Sequence, residues 1–257
     1  MANNRINHSI CRWTYNNIPF EELCQFAVRT GIKSIELTGP DQWAIQRAYG
    51  LTCAMPAPGA GVKLEQGFNT VSLHPFLQES YANYIPLVSA AGYDKVICFS
   101  GNRNGLSDAE GLANCASGLM PLLPIAEKYR VTLVMELLNS KVDHPDYQCD
   151  HTAWGVALCE RLNSPYFKLL YDIYHMQIME GDIIRTIQQN IQHIAHFHTG
   201  GNPGRHEIDY TQEIYYPAIM RAIAATGYQG FVAQEFLPVQ KDTLATLERC
   251  VRLCDVE

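Results

Sequence analysis

The sequence predicts a (β/α)8 TIM barrel formed by one domain that spans residues 1–257. Three observations support this fold class. The length is typical of one large α/β barrel, short apolar runs alternate with longer helical patterns along the chain, and eight of those runs are strand candidates. An open doubly wound sheet is less compatible with eight strands in a chain of this length.

The first four strand candidates are short apolar runs separated by helical or irregular segments. They are Asn7 to Cys11, Ser34 to Leu37, Thr52 to Met55 and Lys95 to Phe99. The last four candidates each close on an acidic residue or a histidine. They are Val131 to Glu136, Lys168 to Asp172, Ile194 to His198 and Gly230 to Glu235.

The predicted helices carry apolar residues at three- and four-residue spacing. They include residues 19–31, 108–130, 152–162, 182–190, 215–227 and 241–254. Gly31, Gly92 and Gly227 follow helical patterns, where a left-handed helix cap favours glycine. By contrast, Pro56 to Gly67 has no helical period and is predicted to be a long loop over one mouth of the barrel.

Composition excludes several function classes. The formal net charge is −7 without a cluster of Lys and Arg, which argues against nucleic-acid binding. Neither a signal peptide nor an apolar stretch of about 18 residues is found, so a cytoplasmic protein that binds no membrane is predicted. The nine cysteines form no CxxC pair and are predicted to be reduced thiols. Nucleotide-binding glycine motifs are also missing.

Four polar side chains close four successive strand candidates, namely Glu136, Asp172, His198 and Glu235. The C-terminal ends of barrel strands meet at one face, so these side chains are expected to lie together. Buried carboxylates are costly unless they are paired or bound to a cation. Oxygen and nitrogen donors that converge in this way suit one divalent ion such as Mn²⁺, Mg²⁺, Co²⁺ or Zn²⁺.

Candidate substrate-binding residues lie beside these strand ends. His175 follows Asp172 by three residues, and Asn139 follows Glu136 by three residues. The loop after His198 contains Arg205 and Glu207, and an arginine can bind a carboxylate or vicinal hydroxyls through its forked donors. His8 is a weaker candidate, and His196 is expected to be a packed histidine that points into the barrel.

The motifs DIYHMQ (Asp172 to Gln177) and PGRHE (Pro203 to Glu207) resemble those of the xylose-isomerase-like TIM barrels, and within them the hydroxypyruvate isomerase family. The resemblance runs from about the fourth strand to the end of the chain. It implies that Glu136 and Glu235 transfer protons and bind the metal with Asp172 and His198. It also implies that His175 and Arg205 contact the substrate, and that the protein is a homo-oligomer.

Two positions depart from that family's pattern. Leu137 stands where the family usually has Pro, and His198 stands where hydroxypyruvate isomerases usually have Gln. Histidine at the second position resembles the ketose epimerases instead.

The resulting hypothesis is a metal-dependent isomerase of a small sugar or hydroxy-keto acid that works through an enediolate. A ketose 3-epimerase and an inosose-type lyase on the same metal site are alternative enzymes. A barrel that binds a sugar without catalysing a reaction is a further alternative. Endonuclease activity would need more histidine ligands and a basic groove than this acidic chain has.

Overall fold

A parallel sheet forms the centre of the molecule. The computed structural model describes residues 6–256, and within them the sheet has seven strands in the order β2-β1-β7-β6-β5-β4-β3. The strands are β1 (Asn7–Cys11), β2 (Ser34–Glu36), β3 (Lys95–Cys98), β4 (Thr132–Leu137), β5 (Phe167–Asp172), β6 (Ile194–Thr199) and β7 (Phe231–Gln234). Because the first strand pairs with the last in parallel register, the sheet curls as a barrel does.

Helices follow the strands and cover the outside of the sheet. They are α1 (Phe20–Thr30), α2 (Pro40–Ala48), α3 (His74–Ala90), α4 (Asp108–Leu119), α5 (Leu123–Tyr129), α6 (Thr152–Leu162), α7 (Ile173–Met179), α8 (Ile183–Asn190), α9 (Tyr216–Ala225) and α10 (Thr243–Cys254). Left-handed glycines stand after three helices as predicted, with φ of 80° at Gly31, 85° at Gly92 and 79° at Gly227. No helix in the described part of the chain is long and apolar enough to cross a membrane.

The segment Thr52 to Met55, expected as the third of eight strands, makes only one isolated parallel bridge, between Ser34 and Thr52. Its backbone still bonds to the neighbourhood of β2, because the Leu37 N–H donates to the Met55 carbonyl at 2.7 Å. The Ala54 N–H, however, donates to the Ser34 hydroxyl at 2.9 Å instead of to a strand. The Ser34 side chain thus accepts a backbone N–H that would bond to the neighbouring strand in a regular sheet. The periodicity of the sequence does not reveal such a bond.

The predicted helix over residues 108–130 is divided. α4 ends at Leu119, a 3₁₀ turn spans Met120–Leu122, and α5 begins at Leu123. Pro121 and Pro124 stand in the first turns of the two new segments. Proline has no N–H to donate and its ring clashes with the preceding helical turn, so the continuous helix is interrupted here.

The core lies on both faces of the sheet, and the strands read as nearly continuous buried runs. All nine cysteines are free and buried, in agreement with reduced thiols. The stretch from Pro56 to Gly67 contains neither a regular helix nor a sheet strand, as predicted. Its residues Ala57, Pro58 and Leu64 line a cavity at the C-terminal ends of the strands.

Candidate active site

The C-terminal ends of β4 to β7 bring four predicted residues together. Glu136, Asp172, His198 and Glu235 each offer one ligand atom, and these atoms all lie within 4.8 Å of one another. All four residues are buried. Their convergence follows from the parallel order of neighbouring strands, since Asp172 pairs with His198 in register and the Glu235 N–H donates to the Thr199 carbonyl at 3.1 Å.

His198 stands between two groups of carboxylates. Its Nδ1 lies 3.1 Å from Glu136 Oε1 and 3.1 Å from Glu235 Oε2. On the opposite side of the ring, Nε2 lies 2.8 Å from Glu36 Oε1. The imidazole therefore presents Nδ1 to the convergent carboxylates and Nε2 to a separate acid.

Glu36 was not singled out from the sequence. It is fully buried at the end of β2, and its Oε1 lies 2.8 Å from Nε2 of His196 as well as from His198. The sequence signal is weak, because Ile35 is the only apolar residue in the strand Ser34–Glu36. His196 is a buried histidine with a hydrogen-bond partner, as expected from its strand parity.

Arg205 adds a cation to the site. Its Nη2 contacts Glu235 Oε2 and lies 3.8 Å from Asp172 Oδ2. The guanidinium sits between the rings of Trp13 and Tyr174, at 5.2 and 5.7 Å from their centroids. Trp13 in turn donates from Nε1 to Glu235 Oε1 at 2.8 Å. Stacking and ion pairing together restrict the guanidinium to one orientation.

Asp172 caps α7 with one carboxylate oxygen, and the other oxygen has no hydrogen bond within residues 6–256. Oδ1 accepts the His175 N–H at 3.1 Å, whereas the buried Oδ2 has no hydrogen-bond partner among residues 6–256. His175 Nε2 lies 3.6 Å from that oxygen. Asn139 Nδ2 donates to His175 Nδ1 at 2.6 Å, so the ring proton belongs on Nε2, facing Asp172.

Glu207 lies apart from this group. Its Oε1 accepts the N–H groups of Val239 and Gln240 at 2.8 and 2.9 Å, and the residue lines a different cavity. These bonds tie the loop that carries Arg205 to the segment after β7. His144, which received no role from the sequence, lines the cavity of Glu136 and Glu235 and packs its ring 5.3 Å from that of His175.

The three carboxylates of the cluster differ in acidity. Burial raises the pKa of Asp172 to about 8, and the Glu235 charge acts in the same direction. Burial also raises the pKa of Glu136. Burial opposes ionisation of Glu235 too, but His198 and Arg205 outweigh it and hold its pKa well below the ordinary value. The residues alone therefore do not keep all three carboxylates charged at neutral pH.

The pKa values of Glu36 and of the three buried histidines are also displaced, in different directions. Burial opposes the charge on Glu36, but His196 and His198 overcome it and lower the pKa of Glu36 to about 2. Burial lowers the pKa of both His196 and His175, so those rings are neutral at pH 7. Burial acts against protonation of His198 as well, yet neighbouring acids such as Glu235 raise its pKa well above the ordinary value.

The cluster fits one divalent cation. Three carboxylates and an imidazole nitrogen form a set of hard donors, and Asp172 Oδ2 is a buried acceptor with no hydrogen bond in the described part of the chain. The raised pKa values of Asp172 and Glu136 show that additional positive charge would be favourable here.

The cavity beside the cluster is small and mostly apolar. It has a volume of about 330 Å³, near the lower end of ligand pockets. Glu136, Glu235 and Arg205 line one part of it. Aromatic and aliphatic side chains line the rest, among them Trp13, Leu37, Ile97, Phe99 and Leu138. The cavity suits a compact ligand that places its polar atoms against the acids and Arg205.

A family model described as xylose isomerase-like TIM barrel matches residues 24–250. The chain belongs to the xylose isomerase-like TIM barrel family. The family resemblance drawn from DIYHMQ and PGRHE is therefore confirmed.

Two relatives of the chain are named isomerases. The chain is 26% identical to the 2-oxo-tetronate isomerase of Cupriavidus necator over 237 residues, which cover 87% of this chain and 89% of that protein. It is 30% identical to the hydroxypyruvate isomerase of Escherichia coli over 162 residues, covering 63% of this chain and 62% of that protein. These relatives support the assignment of the chain as an isomerase.

Solved structures share the xylose isomerase-like fold. A Brucella melitensis protein titled AP endonuclease, family 2, superposes with a TM-score of 0.84 at 24% identity, covering 97% of this chain and 98% of that one. D-psicose 3-epimerase from Clostridium cellulolyticum H10 gives a TM-score of 0.74 at 16% identity, covering 97% and 96%. At these identities the likeness concerns the fold alone.

Proposed function

We propose that this protein is a metal-dependent isomerase of a small sugar or hydroxy-keto acid, with Glu136 and Glu235 as its proton-transfer residues. The observation that carries the proposal is the convergence of these two acids with Asp172 and His198 beside one small cavity. Isomerase relatives of the same family support it.

The two glutamates have the properties of an acid–base pair. Both line the cavity, and each approaches His198 Nδ1 to 3.1 Å from a different strand end. In the protein without metal their pKa values are displaced in opposite directions: burial raises that of Glu136, whereas His198 and Arg205 overcome burial and lower that of Glu235. One glutamate removes a proton from the hydroxyl-bearing carbon beside a substrate carbonyl, and the other delivers a proton to the former carbonyl carbon. The hydroxyl proton passes to the former carbonyl oxygen, so the carbonyl moves by one carbon.

Glu136, Asp172, His198 and Glu235 would hold the cation. When bound, a divalent ion supplies Lewis-acid stabilisation of the negative charge that develops on the substrate oxygens. Mn²⁺, Mg²⁺, Co²⁺ and Zn²⁺ all accept such donors.

Arg205, His175 and Asn139 orient the substrate in this proposal. Arg205 Nε is buried and makes no hydrogen bond within residues 6–256. Its N–H is therefore available to donate to a carboxylate or hydroxyl of the substrate. His175 presents Nε2–H beside Asp172, and Asn139 fixes that tautomer from behind. Glu207 supports the Arg205 loop through its bonds to Val239 and Gln240.

We also propose that residues 52–57 take the place of the predicted third strand, between β2 and β3, and that the following loop covers the substrate. The Thr52 N–H donates to the Lys33 carbonyl at 3.0 Å, and the Ala57 N–H donates to the Thr38 carbonyl at 3.1 Å. These bonds run along one side of β2, where a closed barrel would have its next strand.

Epimerisation of a ketose at C3 is the second candidate. It uses the same two acids but returns the proton to the opposite face of one carbon. His198 favours it, because histidine at this position resembles the ketose epimerases. An inosose-type lyase would use the same cluster with loss of water.

A substrate panel in D₂O separates these reactions. The purified protein is incubated with Mn²⁺, Mg²⁺ or Co²⁺ and with hydroxypyruvate, 2-oxo-tetronate, tetroses, pentuloses or hexuloses, and the products are followed by NMR. We expect carbonyl migration with deuterium at the carbon beside the carbonyl, and loss of activity in Glu235→Gln. A metal-free wild type that binds sugar without turnover would overturn the enzyme assignment. Turnover without deuterium uptake would instead exclude proton exchange with solvent.

A further inference from the structure

Glu36 makes a contact that the proposed chemistry does not use. Its side chain is fully buried, and a single oxygen, Oε1, lies 2.8 Å from Nε2 of both His196 and His198. The two rings are nearly perpendicular, with centroids 5.3 Å apart and an angle of 82° between their planes. Both ring nitrogens can therefore donate to one carboxylate oxygen from different directions.

This carboxylate lies behind the metal cluster. His198 places Nδ1 toward Glu136 and Glu235, so Nε2 and Glu36 are on the far side of the ring. Glu36 is also not among the residues that line the substrate cavity. Its contact with the residues of the proposed metal site runs through the imidazole of His198.

The backbone holds Glu36 firmly at this point. It is the last residue of β2 and pairs in register with Cys11 of β1. Leu37, the next residue, has a left-handed backbone with φ of 55°, which turns the chain sharply after the strand. With His196 as a second donor, the carboxylate has little freedom to leave His198.

We propose that Glu36 is a positioning residue that orients His198 for metal binding. By accepting the Nε2–H of His198, it leaves the Nδ1 lone pair directed at the site shared by Glu136, Asp172 and Glu235. His196 contributes by anchoring the same oxygen of Glu36. The inference rests on the proposed function, since it assumes that His198 is a metal ligand.

The size of the effect follows from outer-shell groups in metal sites. A carboxylate that accepts the second ring proton of a metal-binding histidine fixes the ring orientation and increases its basicity. Loss of such a partner typically weakens metal binding by about 10- to 100-fold. In Glu36→Leu two buried N–H donors also lose their acceptor, whereas Glu36→Gln keeps an amide oxygen of the same reach without the charge.

The test measures metal binding directly. Wild type, Glu36→Gln and Glu36→Leu are titrated with Mn²⁺ by calorimetry, and ¹⁵N-histidine protein loaded with ¹¹³Cd²⁺ is examined by NMR. We expect the Mn²⁺ dissociation constant to rise about tenfold in Glu36→Gln and by up to about 100-fold in Glu36→Leu. In wild type the ¹¹³Cd–¹⁵N coupling should involve Nδ1 of His198, and it should weaken or shift to Nε2 in the variants.

Cys11→Ala is the matched control. The Cys11 thiol forms weak hydrogen bonds with His198 Nε2 at 3.7 Å and with Glu36 Oε1 at 3.8 Å, so Cys11→Ala changes the same surroundings of the imidazole without removing the carboxylate. Metal affinity in this variant should stay within about threefold of wild type. An equal loss in Cys11→Ala would show that the effect does not require the Glu36 carboxylate, and would overturn the proposal.

Other outcomes distinguish the inference from the proposed function. Unchanged affinity and coupling in Glu36→Gln would overturn the positioning role even if Glu36→Leu fails to fold, and the proposed function would stand. Two Mn²⁺ ions per wild-type chain, with one lost in Cys11→Ala, would make Glu36 a ligand and also overturn the role. A wild type that binds one ion but turns over no substrate would end the proposed function alone.

Discussion

Replacing Asp172 with Asn should stabilise the metal-free protein and remove most of the stabilisation that metal provides. Asp172 is fully buried, and burial raises its pKa to about 8 from an ordinary value of 3.8. At pH 7 the folded protein holds a proton that the unfolded chain has released. Each pH unit between the ordinary pKa of the carboxyl and the pH of the solution costs about 1.4 kcal/mol. The carboxyl therefore lowers the free energy of unfolding by about 4 kcal/mol, to order of magnitude.

Asparagine removes the ionisation and keeps the cap on α7. Its Oδ1 can still accept the His175 N–H, which Asp172 now does at 3.1 Å. Its amide N–H groups replace an oxygen that faces Arg205 and His175, and an unmatched buried donor costs about 2 kcal/mol. The net stabilisation expected in EDTA at pH 7 is about 2 kcal/mol.

Urea unfolding followed by circular dichroism measures both effects. With Mn²⁺ at about one hundred times its dissociation constant, wild type should gain about 2.7 kcal/mol, and the variant should gain less than about 1 kcal/mol. Asp94→Asn is the control, because that side chain is 74% exposed and the change should stay within about 0.5 kcal/mol. An Asp172→Asn protein that is less stable than wild type in EDTA, or that gains as much from Mn²⁺, would refute the reasoning.

Three further predictions concern catalysis, pH and substrate binding. Glu235→Gln should lower kcat by about 10²- to 10⁴-fold at saturating metal, because a proton-transfer group is lost, and a change confined to KM would argue against that role. In EDTA, urea titrations should show the free energy of unfolding falling as pH rises from about 6.5 to 8, because the folded state keeps a proton on Asp172, whose pKa is raised to about 8, and the unfolded state does not. Mn²⁺ should flatten this slope, and an equal slope with Mn²⁺ would contradict the assignment. Arg205→Lys should raise the substrate KM at least about tenfold, because lysine cannot reproduce the stacked, forked contact beside Trp13. Arg252→Lys, at a side chain 73% exposed, should leave KM unchanged. An equal rise in KM there would mean that the Arg205→Lys result does not identify a substrate contact.

The strand ends of the second half of the chain could be predicted from sequence. Short runs rich in apolar residues lead up to Glu136, Asp172, His198 and Glu235, and the observed strand bounds lie within a residue of those expected. The parallel order then makes neighbours of Glu136, Asp172 and His198 without any knowledge of side-chain contacts. Their roles in binding and catalysis stay predictions.

Features that depend on individual side-chain bonds could not be predicted. The Ser34 hydroxyl takes the Ala54 amide, and this keeps residues 52–55 from forming a regular strand. Glu207 lies two residues after Arg205, which suggested a substrate contact, but its carboxylate accepts the N–H of Val239. Glu36 was overlooked because its three-residue strand gives a weak pattern.

The indole of Trp13 gives the protein an optical reporter of its own site. The chain has three tryptophans, and Trp13 donates its N–H to Glu235 while its ring faces the Arg205 guanidinium. Trp43 and Trp154 are buried elsewhere and donate to backbone carbonyls of Thr38 and Asp108. Indole emission responds to charges placed along the ring, so any ligand that draws Glu235 or Arg205 away from Trp13 changes the fluorescence of one identifiable residue. Occupancy of the cavity can thus be followed in solution without a label, with Trp13→Phe as the silent reference.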